Sequence, residues 1–254
     1  MTPSSWLPAV VVIVATAVAC GKDTPSAPTA NDQLSGTAST ANIDFSFSTG
    51  DSVDTERQEA FHAWATVQLD VAMPRKLQYR KYRDRAHMNR VTGHETNGFA
   101  EPPSFIVHSI WPYDSHEAIH VYSALVGVPS DFFNEGIAVA MAVDPMAGRF
   151  VSLWNSTPID VIARASLRAG QLPSIASMMT TDGFHRLPES TSYPLAGSFV
   201  DFLLRTRGMR AMQVFLRSST RTDSAAVIES RFAASFGGPV AAAEAEWRAF
   251  LGTV

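Results

Sequence analysis

Cysteine is nearly missing from this chain. Cys20 is the only one among 254 residues, which excludes internal disulfides and metal centres built from thiolates. Charge is sparse and balanced, 17% of residues with a net of −4 at neutral pH, so no basic surface presents itself to a nucleic-acid backbone. The one dense positive run is Arg75, Lys76, Arg80, Lys81, Arg83, Arg85 and Arg90. Leu77, Tyr79 and Tyr82 interrupt it at strand-like alternation, and it reads as a solvated strand face. The apolar run Trp6–Ala19 is too short to span a bilayer. No internal repeat is visible. The chain as a whole is 46% hydrophobic, enough for the core of one domain.

Against this plain background one pattern stands out. His116 and His120 flank Glu117 in D-S-H-E-A-I-H-V-Y. On a helix, positions i and i+4 share a face, so both imidazoles reach one ion and Glu117 lies beside any water that ion holds. Glu135 follows fifteen residues after His120, in F-F-N-E-G-I-A. Two histidines and a carboxylate leave a tetrahedral zinc one open position, the arrangement of a catalytic site rather than a structural one. The plain alternative is a surface helix with two histidines and a solvated glutamate. The apolar neighbours Ile119, Val121, Tyr122, Leu125 and Val126 speak against it, because a partly buried helix does not carry such groups without a compensating partner.

The pair H-E-A-I-H and F-F-N-E-G-I-A-V-A resembles the gluzincin metallopeptidases, and within them the bacterial peptidase-MA-like group. A third segment, Ser192–Val200, resembles the helix start of that group, with Tyr193 placed 58 residues after Glu135. The likeness covers about Ile43 to Leu216. It implies an α+β, zincin-like fold with a small N-terminal sheet lobe, a mostly helical C-terminal lobe and the zinc site in the cleft between them. It implies zinc on His116, His120 and Glu135, Glu117 as general base, and Tyr193 as a donor to the reacting carbonyl. The gap from His120 to Glu135 is shorter than in large aminopeptidases, which predicts a tight turn between the two ligand helices. Gly98-Phe99-Ala100-Glu101 has the glycine-to-glutamate spacing of the aminopeptidase motif that holds a free amine, although its surroundings do not match.

The N-terminus reads as a targeting segment. Trp6–Ala19 ends in A-V-A-C-G, which resembles a bacterial lipoprotein signal in which Cys20 becomes lipidated. Two departures, no Lys or Arg before the apolar run and Ala17 in place of a larger apolar residue, leave a plain secretory signal as the alternative. Either one predicts an exported protein. Residues 21–42 are rich in Thr, Ser, Ala and Pro and are expected to be a flexible tether, with the metallopeptidase domain filling 43–254.

Within that domain, alternation predicts strands over Ile43–Ser48, Leu77–Tyr82 and Phe105–Ile110. A helix is expected from Asp51–Thr55 to about Val71, and a short one over Asp84–Thr92. The histidine helix is expected over about Tyr113–Val126, stopped by a left-handed Gly127 and by Pro129, with Ser130 capping the helix of Glu135. Further helices are expected near Ile159–Ala169, Leu172–Met179, Tyr193–Arg207, Arg210–Arg217, Ser224–Ala234 and Val240–Leu251. His108 and His185 are candidates for the cleft wall. His62, His87 and His94 are expected at the surface or core edge, and backbone carbonyls are expected to orient the ligand histidines. The function so implied is hydrolysis of a peptide or protein substrate by an exported, membrane-tethered zinc enzyme. A non-enzymatic binding module is the alternative, which an intact Glu117 argues against. A purely structural zinc is a third reading, which the lack of a fourth ligand argues against.

Overall fold

The computed structural model of the chain describes residues 32–253, so the expected signal segment and Cys20 lie outside the described residues. The fold is α+β. Its five-stranded sheet is built from β1 (Gly36–Ser39), β2 (Ile43–Phe47), β3 (Leu77–Lys81), β4 (Gly98–Glu101) and β5 (Ile106–Ser109). Their spatial order is β1-β2-β3-β5-β4. The three inner strands run parallel, and both edge strands are antiparallel to their neighbours. The alternation in I-D-F-S-F and L-Q-Y-R-K turns Ile43, Phe45, Leu77 and Tyr79 into the core.

Two expectations fail here. The described part of the segment expected as a tether, from residue 32 on, already belongs to the fold, because Gly36–Ser39 pairs along β2. Upstream, Asp32 is 4% exposed and accepts from Arg90 Nε at 3.0 Å. A stretch so poor in apolar residues gains its order from a partner strand and buried ion pairs, which composition does not reveal. Nor is the basic run simply a solvated face. Lys81 shares the buried side of β3 with Leu77 and Tyr79 and is ion-paired with Asp51. Lys76 binds Asp44, and the Arg75 guanidinium donates to the Ser104 carbonyl.

Helix α1 (Thr55–Leu69) joins β2 to β3; Asp54 caps its first turn, and Phe61, Ala65 and Leu69 are buried. Helix α2 (Arg85–Thr92) follows β3, capped by Asp84. After β5 come the two helices of the histidine and glutamate motifs, α3 (Ser115–Ala124) and α4 (Asp131–Ala140). A two-stranded hairpin, β6 (Leu153–Trp154) and β7 (Thr157–Pro158), leads into α5 (Ile159–Arg168), α6 (Ile175–Met178) and α7 (Thr181–His185). The long α8 (Glu189–Ser218) is two helical pieces meeting at Gly208, whose φ of 82° breaks the helical path. It starts a turn before the expected Tyr193, because the amides of Thr191 and Ser192 find the Pro188 carbonyl at 2.8 and 2.9 Å. Helices α9 (Ala225–Phe236) and α10 (Val240–Thr253) close the chain. No helix among the described residues is long and apolar enough to cross a membrane.

Helix α4, which carries Glu135, is seated on α8. Phe132, Phe133 and Ile137 of α4 and Leu195, Phe199 and Val200 of α8 are fully buried. Each such side chain contributes about 1.5–3 kcal/mol of transfer free energy. The helices come close because small residues face each other. A Cβ on Gly136 would stand 2.6 Å from Val200 Cγ2 and 3.0 Å from the Ala196 carbonyl oxygen. Gly127 serves the same end rather than a left-handed turn. Its φ is not positive, and a Cβ there would collide with the Leu216 backbone.

Candidate metal centre and cleft

The N-terminus of α3 shows how the sequence aims the motif. Asp114 is the N-cap, and its Oδ1 accepts from the Glu117 amide at 3.1 Å. Its Oδ2 accepts from Ser109 Oγ at 2.7 Å. Asp followed three residues later by Glu is the spacing of a capping box, in which the glutamate side chain folds back onto the cap residue's own N–H. That N–H is already taken, donating to Gln58 Oε1 from α1 at 3.2 Å. Glu117 is thereby left to line the cleft.

His116, in that first turn, and His120, one turn on, lie on the same face, and α4 brings Glu135 against them. Three atoms form a near-equilateral triangle. His116 Nε2 and His120 Nε2 are 3.2 Å apart, and each is 3.2 Å from Glu135 Oε2. Ligands about 2.0–2.1 Å from a tetrahedral ion stand roughly 3.3 Å from one another, so the triangle fits one face of such a site. The donor set fits as well, since three lone-pair-bearing atoms converge and only a cation or shared protons can hold them there. His116, His120 and Glu135 can hold a metal ion. The Asn134 side-chain amide stands 3.2 Å from His120 Nδ1. The nitrogen Nδ2 is the atom facing the ring; the amide turned end for end would place Oδ1 there, to accept the Nδ1 proton and leave the Nε2 lone pair for an ion. The group beside the His120 Nδ1 is thus a side chain next to Glu135, where backbone carbonyls were expected.

The charged groups of the triangle act on one another. Burial opposes charge on His120, but Glu135 outweighs it and lifts the imidazole to about 9. Burial likewise acts on Glu135, and the two histidines overcome it and hold the carboxyl well below its ordinary value. Glu117 is pushed up to about 7, by burial first and by the nearby Asp114 and Glu135 charges, against the pull of the histidines. A bound cation would lower it again.

The centre opens into a cavity of about 1000 Å³. On one side, residues Thr96 to Ala100, which include most of the edge strand β4, line it in succession. The strand passes so near the motif that a Cβ on Gly98 would stand 2.9 Å from Glu117 Cγ and 3.0 Å from Asp114 Oδ2. The opposite wall carries Tyr193, whose ring centroid is 6.2 Å from His116 and 5.1 Å from Trp154 of the β6–β7 hairpin. Burial, then the charge of Glu135, raises the Tyr193 phenol, so it stays protonated as a hydrogen-bond donor.

The chain matches no family model and no curated protein.

Five of the residues expected from sequence therefore meet in one cleft, namely His116, Glu117, His120, Glu135 and Tyr193. Others do not join them. His108 lies beneath the cleft wall, stacked on Phe99 at 4.2 Å and touching the Tyr82 hydroxyl at 2.8 Å. Glu101 is turned to it, 3.2 Å from its Nε2, rather than to the metal centre. His185 binds Asp131 at 2.7 Å and is not a wall residue. His62 and His87 are buried, the first beside the Tyr122 hydroxyl at 3.1 Å and the second holding the Asp32 carbonyl at 3.0 Å. Ser130 occupies the cap position of α4, but its hydroxyl donates to the Met179 carbonyl at 2.6 Å. Sequence reasoning missed Asp114, Gln58, Asn134 and Arg221, and it named Gly98 for the amine-holding spacing rather than for its approach to Glu117. Of those missed, only Asp114 had a local signal, the D-x-x-E spacing.

Proposed function

We propose that this chain is a zinc metallopeptidase of the gluzincin type. The observation that carries the reading is the triangle of His116, His120 and Glu135 at 3.2 Å sides, with Glu117 on the wall of the same cleft. Two imidazoles and a carboxylate suit zinc, which when bound would supply Lewis acidity and make water a nucleophile near neutral pH. Glu117, released from its capping role, takes the proton of the attacking water and returns it to the leaving amine. Tyr193 donates to the oxygen that becomes negative on the scissile carbonyl. The outer edge of β4 offers an extended peptide main-chain hydrogen bonds beside Glu117, which favours a peptide over a compact small molecule. Export and a lipid anchor at Cys20 belong to the same proposal, and the mass of the mature N-terminus tests them.

Glu117→Gln is expected to keep one metal per chain and lose about 10²–10⁴-fold in kcat on a quenched peptide library. Tyr193→Phe is expected to cost less, about 10–10³-fold, because the oxygen keeps its other partner. Metal content by elemental analysis and single-substrate kinetics on the full chain decide it. Near-normal turnover by Glu117→Gln removes the base assignment. Bound metal with no hydrolysis of any peptide leaves a binding module.

A further inference from the structure

The cleft wall is acidic apart from one place. Asp114, Glu117, Glu135 and Glu189 line it, and among the described residues Arg221 is its only lysine or arginine. Arg221 lies in the turn between α8 and α9, and that turn is tightly held. Thr220 donates to Asp223 from both its amide and its hydroxyl, at 2.8 and 2.6 Å, and Arg231 is ion-paired with Asp223. Thr220 also pairs with Val128 at the end of the α3–α4 turn, and the Arg221 carbonyl accepts from Thr181 Oγ1 at 2.8 Å.

The side chain is held as firmly as the backbone. Its Nε is 2.7 Å from Asp131 Oδ1 and its Nη2 is 2.8 Å from Oδ2. Asp131 is 2% exposed and opens α4, the helix that carries Glu135. It is fixed in turn by His185 Nε2 at 2.7 Å. This fork uses one edge of the guanidinium. Five N–H groups are available in that plane, and the side chain is still 63% exposed, so donors remain open toward the cleft. A brace for α4 alone would not need its outer edge on the cleft wall. Holding the cation in advance lowers the ordering cost of binding an anion there.

We propose that Arg221 binds a carboxylate of the substrate, so that the enzyme prefers peptides carrying an Asp or Glu side chain, or a free C-terminus, at the position that meets it. The inference rests on the peptidase reading and adds selectivity to it. Glu117 and Glu135 offset the charge of a bound divalent ion, and Asp114 and Glu189 repel an acid placed elsewhere. Peptides are thereby sorted by register as well as by affinity.

The test uses the full, zinc-loaded chain and a matched peptide set. The set comprises a neutral amidated parent, the same peptide with a free C-terminus, and a series with one Glu moved along it. The wild type is expected to favour either the free terminus or one Glu position by roughly 10- to 100-fold in kcat/KM over the parent, the scale of a charge-assisted pair. The terminus arm and the Glu arm tell the two sources apart. Arg221→Gln is expected to erase that ratio. Arg221→Lys, which keeps the charge and loses the fork, is expected to retain part of it and serves if the first variant does not fold. A wild type indifferent to carboxylates, or a preference that survives Arg221→Gln, overturns the proposal. Binding of the same peptides, fluorescently labelled, to zinc-loaded Glu117→Gln separates the two readings. Acid-dependent binding with no hydrolysis by the wild type sinks the peptidase and keeps Arg221. Hydrolysis without acid preference does the reverse.

Discussion

At the scale of single residues, the centre depends on which partner each polar group takes. Glu117 stands where a capping box would draw its side chain back to the Asp114 amide, and Gln58 accepts that amide instead at 3.2 Å. Gln58→Leu is expected to return Glu117 to the capping role. It should lower kcat about 10-fold or more with metal content unchanged, and cost about 1–3 kcal/mol of stability for the lost buried hydrogen bond. Metal analysis and a kcat measurement check it, and unchanged kcat would show that Glu117 never competes for the cap. The spacing of His116, Glu117 and His120 was legible in the sequence because one helix places them, and helical periodicity is local. The role of Gln58 was not, because it arises across the 56 residues that separate it from Asp114.

At the scale of elements, the candidate metal centre is a junction of two helices and an edge strand. Helix α4 brings Glu135 to the histidines because Gly136 and Gly197 let it sink onto α8. Gly136→Ala puts a methyl 2.6 Å from Val200 Cγ2 and 3.0 Å from a backbone oxygen of the same helix. Overpacking of this kind costs about 1–3 kcal/mol. Because the substitution adjoins Glu135, weaker metal binding is expected together with a lower midpoint in urea. A variant that loses neither would mean that the close approach is not needed. The long helices and inner strands were legible from their apolar spacing. The edge strands G-T-A-S and G-F-A-E were not, since each takes its order from a neighbour, β2 or β5, rather than from a buried face of its own.

At the scale of the whole molecule, the sheet supports the cleft through a buried aromatic column. His108, 2% exposed, lies between Phe99 of the cleft wall and Tyr82. Burial, against the pull of Glu101 and with the push of Arg80 and His94, lowers its imidazole to about 4. The unfolded chain therefore takes up this proton at a higher pH than the folded one. The contribution of His108 is fully present above about pH 6.5 and is lost as pH falls from there through about 4. Asp201, raised to about 6 by burial, acts in the opposite sense, stabilising most at low pH and less as pH rises through 6. Comparison with a variant isolates the histidine. His108→Gln should show a flatter fall in stability between pH 6.5 and 4, by as much as about 3 kcal/mol, in urea titrations at several pH values. Parallel curves for the two proteins would remove His108 from the account. Experiments on a shortened chain should also keep residue 32 onward, because trimming at 43 removes β1 and the buried Asp32.

The sequence by itself determined the α+β class, most helices and the three side chains, His116, His120 and Glu135, that can hold a metal ion. Each of these depends on periodicity or spacing within a single element, which backbone geometry converts directly into a face. The tertiary structure decided the rest: the 3.2 Å triangle, the release of Glu117 by Gln58, the Asn134 contact, the approach of Gly98 and the place of Arg221 on the cleft wall. These depend on distances between elements far apart in the chain, set by how helices and strands pack once their apolar faces are buried.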